Sequence, residues 1–147
     1  MKFIWIGIVF FCGALLPVQA GLNAKLGKSL ESPAYSSLIC FFVGALTMVL
    51  YLPFSRENLH LQTLRSTPWP TLLGGGLTGA VFITATMLSL PRLGMALTFS
   101  LVVAGQMIVA VALDHLGILI DTPHTINIWR LLGIALVIAG VVVVRRF

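Results

Sequence analysis

Three carboxamides stand where the chain around them is least able to solvate them. Gln19 and Asn23 follow Pro17 inside "GALLPVQAGLNAKLGK" (residues 13–28), and Gln106 lies within "ALTFSLVVAGQMIVAVALDHLGIL". A carboxamide offers donors and an acceptor without charge, so it can hold a polar solute by hydrogen bonds alone. Gln19 and Asn23 are i and i+4, which puts both amides on one face of a helix. Pro17 removes one backbone hydrogen bond and frees the carbonyl of Gly13, loosening the helix where glycine already weakens it. Gly13 and Pro17 are therefore the candidate kink or gate, with Gln19, Asn23 and Gln106 the candidate substrate-binding residues. The plainer alternative is a kinked helix whose first two amides sit at headgroup level. For Gln106 the alternative is interhelical glue, worth about 0.6 kcal/mol on average.

No pairing of nucleophile with base, no paired carboxylates and no phosphate-binding loop is visible, so an enzyme is not expected. Cys12 and Cys40 both sit in apolar runs, where a thiol behaves as a small hydrophobe. His60, His115 and His124 are dispersed. Metal ligands normally come in short spaced pairs, so neither a metal nor another cofactor is expected.

Composition sets the elements that must position these residues. Of 147 residues, 59% are hydrophobic and 9% charged, against about 45–50% and about 25% in a soluble domain. So short a chain cannot hide that much apolar surface from water, and its first partner is the lipid bilayer. The net charge of +5 is spread between apolar runs as membrane-flanking anchors, not gathered as a nucleic-acid patch. Five segments reach the roughly 20 residues needed to cross the hydrocarbon core. They cover about residues 3–23, 33–54, 69–90, 94–119 and 126–144. The expected fold is all-α, one polytopic transmembrane domain over residues 1–147 with five spanning helices. "PRLG" (residues 91–94) predicts a tight turn and an antiparallel hairpin of spans three and four, and "DTPHT" (residues 121–125) the last turn. A signal peptide ending near Ala20 competes for the first span. Its apolar run of about 16 residues is at or beyond the 7–15 typical of such a peptide, so the span is retained.

An odd number of spans puts the termini on opposite sides. Lys2, Arg56, Arg65 and Arg130 then share the side of the N-terminus, against Lys25, Lys28, Arg92, Arg145 and Arg146. Orientation normally follows a Lys/Arg bias, and this one is nearly balanced. Either a few positions dominate, or the chain inserts both ways up and pairs with its inverted copy. The partner expected is thus a second copy in an antiparallel homodimer, or an oppositely oriented relative in a heterodimer. Gln106 lies about twelve residues into its span, close to mid-depth at about 1.5 Å per residue. An unpartnered amide in lipid costs several kcal/mol, so it must face protein or a cavity. Gly75 and Gly79 in "GGGLTG", and Ala135 and Ala139 with Gly133 and Gly140, offer close-approach surfaces for helix packing. Asp114 and Arg130 fall at facing ends of spans four and five, where a structural ion pair is expected and a coupling role is the alternative.

Four stretches in this order, "PVQAGLNAKLG", "SPAYSSLICFFVGAL", "ALTFSLVVAGQMIVAVALDHLGIL" and "RLLGIALVIAGVVVV", resemble the small YdcZ-like branch of the drug/metabolite transporter (DMT) superfamily. The resemblance covers nearly the whole chain. It implies a multi-pass protein of the bacterial inner membrane, half of a ten-helix carrier whose two halves are fused in opposite orientation. A lone half would need a partner. It also implies secondary transport or export of a small metabolite or drug-like solute by alternating access at a midplane site. The four-helix multidrug members carry a glutamate in their first helix, and this first span has no acid. Glu31, Glu57 and Asp121 fall between spans and Asp114 near the end of span four, so the acid-based cation and proton site of those members is not implied here. Two other functions stay open: a flippase-like translocator of a lipid-linked substrate, which needs a groove open sideways to the bilayer, and a non-transporting assembly subunit, in which Gln19 and Gln106 could become Leu without consequence.

Overall fold

The computed structural model describes residues 2–55, 61–117 and 125–147. Regular structure among them is entirely helical: α1 (Lys2–Ser29), α2 (Pro33–Ser55), α3 (Leu61–Ser66), α4 (Trp69–Leu116) and α5 (Ile128–Arg146). Four are long and apolar enough to cross a membrane, and α3 is a short helix within the polar stretch between the second and third apolar runs. Arg56, Glu57 and His60, the end of span four at 118–119, and Asp121 and His124 of the expected last turn lie outside the described residues.

The first helix outruns its expected end at residue 23 because Asn23 is followed by good helix formers rather than a breaker. It stops in a Schellman arrangement: the Ser32 amide donates to the Gly27 carbonyl at 2.9 Å and the Glu31 amide to that of Lys28 at 3.3 Å. Glu31 occupies the left-handed position of that motif, φ 53°, where glycine is the usual residue. Ser32 then caps α2. Its Oγ accepts from the Tyr35 amide at 3.4 Å, and Pro33 takes the first helical position, where its missing N–H costs nothing. Two spans are thereby joined with few unsatisfied backbone groups.

At 48 residues, α4 would reach about 72 Å as a straight helix, more than twice the roughly 30 Å hydrocarbon core. It is not one span. Gly94 interrupts it with φ 75° and ψ 168°, at the last residue of the expected "PRLG" turn. Only glycine enters that region cheaply. Thr98 Oγ1 donates to the Gly94 carbonyl at 2.6 Å, so the helix that resumes beyond the break satisfies an oxygen at the break.

Packing divides the chain into two compact units, Met1–Pro91 and Arg92–Phe147. In the first, α1 and α2 lie side by side, and a Cβ on Gly27 would stand 3.4 Å from Pro33 Cα. A Cβ on Gly79 of α4 would meet the Phe41 ring of α2 at 3.4 Å. The second unit holds the rest of α4 and α5. Among the described residues the buried hydrophobic side chains are only Ala20, Met87 and Ala104, while Phe3, Phe10, Phe42 and Val81 are typical of a largely exposed apolar surface. Such an inside-out distribution is stable when lipid, not water, is the solvent.

Two opposite changes test this backbone reading. Gly94→Ala should lower thermal stability by about 1–3 kcal/mol, the cost of a side chain in a backbone region essentially confined to glycine. Glu31→Gly should raise it by a comparable or smaller amount. Melting of the detergent-solubilised protein followed by size-exclusion chromatography checks both signs.

Candidate functional site

The first unit gathers uncharged polar groups from three helices. Gln19 Nε2 on α1 donates to Cys40 Sγ on α2 at 3.5 Å, and Asn23 Nδ2 donates to the same sulfur at 3.2 Å. Ser36 Oγ, fully buried, donates to the Asn23 backbone carbonyl at 2.7 Å. The next residue, Ser37, meets Thr84 Oγ1 of α4 at 2.9 Å and also donates to the Pro33 carbonyl at 3.1 Å. Adjacent serines on α2 thus tie it to α1 on one side and α4 on the other. Both amides reach one thiol because i and i+4 positions share a helix face. Gln19 lies four residues, about 6 Å, inside the apolar run of α1 that ends at residue 23, and Cys40 seven residues, about 10 Å, beyond the start of α2 at Pro33. Gln19 is exposed, whereas Asn23 and Cys40 are half-buried. The cluster is therefore within the span and open on one side.

The other residues singled out from sequence are dispersed around it. Pro17 sits inside α1, whose helix runs on through it, and a Cβ on Gly13 would meet nothing within 4 Å. Gln106, in the second unit, is exposed and has no hydrogen bond among the described residues. Gly79 is used against Phe41, while Gly75 is open. Ala135 and Ala139 are exposed on α5. In this unit Ala96, Phe99, Ser100 and Val103 of α4 and Val137, Gly140, Val141 and Val144 of α5 line an open groove of about 420 Å³, almost wholly apolar.

Asp114 and Arg130 stand together at the other end of the same helix pair, Nη1 donating to Oδ2 at 3.0 Å, both partly exposed. Each charge is at the helix end that disfavours it. Asp114 is in the last turn of α4, where carbonyls point outward, and Arg130 is in the first turn of α5, whose Asn127 cap accepts from the Arg130 amide at 2.9 Å. The pairing offsets two unfavourable helix-dipole terms.

Cys40, Ser36, Ser37 and Thr84 were not among the sequence candidates. A signal was present: "SSLIC" places Ser36, Ser37 and Cys40 at i, i+1 and i+4, a polar ridge in an apolar run.

Helices of spanning length, an outward apolar surface and a neutral polar cluster within the spans define a polytopic membrane protein. A family model described as "Putative inner membrane exporter, YdcZ" matches residues 4–143. The chain belongs to that family, a family of membrane transporters. No curated protein and no solved structure matches it.

The ion pair has its own test. Asp114→Ala should cost about 0.5–1 kcal/mol, the range of a partly exposed pair. Exchanging the two, Asp114→Arg with Arg130→Asp, puts each charge at the helix end that favours it and should restore that loss. The melting temperatures of the three proteins decide it.

Proposed function

We propose that the chain is half of a secondary exporter in the bacterial inner membrane, moving a small polar solute by alternating access. The observation that carries the reading is the cluster of Gln19, Asn23 and Cys40 inside spanning helices. Polar side chains inside spanning helices are costly and, where they gather and face protein or a cavity, mark solute pathways. The family match supports export as the direction.

A half needs a partner, and four features favour an inverted one in the manner of the DMT superfamily. An odd number of spans gives one copy no means of offering the same site to both sides. The near-balanced basic residues let both orientations insert. Gln106 is exposed near mid-depth, the one depth at which a residue can meet its own copy across a two-fold axis lying in the membrane plane. Open Gly75, Gly133 and Gly140 leave surfaces for close helix contact. The homodimer is the first choice, and a heterodimer with an oppositely oriented relative is the rival.

A lipid-linked substrate is the second reading, favoured by the open apolar groove between α4 and α5. It and the first reading separate in liposomes. Gln19→Leu should cut export of a water-soluble solute at least tenfold in kcat/KM, equivalent to about 1.4 kcal/mol, with expression unchanged. Movement of a fluorescent lipid that Gln19→Leu leaves intact supports the translocator instead. A fully active variant in both assays removes the site.

Orientation is tested in cells. With Cys12 and Cys40 replaced by Ser, a single cysteine at either terminus should react with an impermeant maleimide from both sides. Labelling of each terminus from one side only excludes dual insertion and leaves the heterodimer or a parallel assembly.

A further inference from the structure

The charge distribution of the whole chain bears on what the cluster can hold. In the sequence all nine basic and four acidic residues fall between the apolar runs or close to their ends. Asp114, the acid closest to a span interior, is engaged by Arg130. Lys25 is two residues from Asn23, a spacing that does not share a helix face, and it is exposed. Among the described residues no charged side chain is hydrogen-bonded to Gln19, Asn23 or Cys40. A solute carrying net charge there would be desolvated without compensation. An inverted second copy of this chain would add none.

The hydrogen bonds of the cluster narrow the class further. A neutral thiol has one hydrogen, so it can donate to only one of two amides in contact with it. At least one must donate to the sulfur, and in the structure both do. Within each planar amide, oxygen and nitrogen diverge, so an N–H aimed at Cys40 turns the carbonyl oxygen away from it. Among the described residues neither Gln19 Oε1 nor Asn23 Oδ1 accepts a hydrogen bond. Two acceptors on one helix face are left open, held in place by an atom of the neighbouring helix.

We propose that the exported solute is uncharged overall and donates O–H or N–H groups to Gln19 Oε1 and Asn23 Oδ1, with Cys40 as the positioning residue that orients both amides. The proposal rests on the reading of Gln19 and Asn23 as the transport site. Hydroxyl-rich or amide-bearing solutes fit it. Quaternary ammonium ions and carboxylates do not. The solute itself contributes no charge to transfer, so where no coupling ion moves with or against it the membrane potential does not drive it.

The test uses the purified full-length chain in liposomes loaded with a water-soluble metabolite extract of known composition, with solute loss followed by mass spectrometry. Solutes lost at least tenfold faster than from protein-free vesicles should be uncharged at neutral pH and carry hydroxyl or amide groups. Their rate should not change under an imposed potassium diffusion potential. For the solute lost fastest, Cys40→Ala should raise KM about tenfold with kcat little changed. Cys40→Ser, which keeps an acceptor, should restore KM to within a few-fold of the wild type. Loss of charged solutes, or a rate that follows the potential even with proton and sodium gradients collapsed by ionophores, overturns the neutral class and leaves the exporter reading standing. Loss of no solute overturns both. A Cys40→Ala protein with unchanged KM, or a Cys40→Ser protein no better than Cys40→Ala, overturns the positioning role.

Discussion

A polar group inside the hydrocarbon core has no water to bond, and each one left unsatisfied costs several kcal/mol. The architecture follows from that constraint. The backbone answers it with helices, and the hydroxyls answer it by bonding back to their own helix: Thr47 to the Val43 carbonyl, Thr78 to Gly74, Thr86 to Phe82 and Ser89 to Ala85, all at 2.7–2.8 Å. Where the helix must end, the chain closes the gap locally, through the Schellman turn at residues 27–32 and the Ser32 cap. Where α4 must break, glycine takes the backbone angle and Thr98 takes the exposed carbonyl.

Against that background the carboxamides are informative because they cannot bond back so simply. Gln19 and Asn23 resolve the problem across a helix boundary on a thiol, a weak acceptor. Weak acceptance matters for the proposed transport site. Amides anchored to sulfur are oriented, yet their better acceptors stay open toward whatever enters. Gln106 has no such arrangement within the described residues.

The same constraint sorts the charges to the span ends, where headgroups and water solvate them. Asp114 and Arg130 are the instructive case, since each would be better placed on the other's helix. Their attraction lets a basic residue stand in the first turn of α5, and Arg130 is one of the nine that make up the near-even distribution of basic residues along the sequence.

Much of the fold was legible without coordinates. Span number follows from apolar run length against bilayer thickness, and the break near residue 94 follows from Pro91 and Gly94 together, because a 48-residue helix cannot stay within one bilayer. That Gln19 and Asn23 share a face follows from helical spacing alone. The end of α1 was misjudged by six residues, since apolar content marks where lipid stops and helix propensity carries on through Lys25 and Lys28. The meeting of those amides with Cys40, and of Ser37 with Thr84, was decided by tertiary structure. These helices are apolar on every side, so no hydrophobic face announces which side turns inward. Only the packing of α1 and α4 on α2 selects the thiol and hydroxyls that face one another, and only then does a cysteine that reads as one more small hydrophobe become the acceptor at the centre of the site.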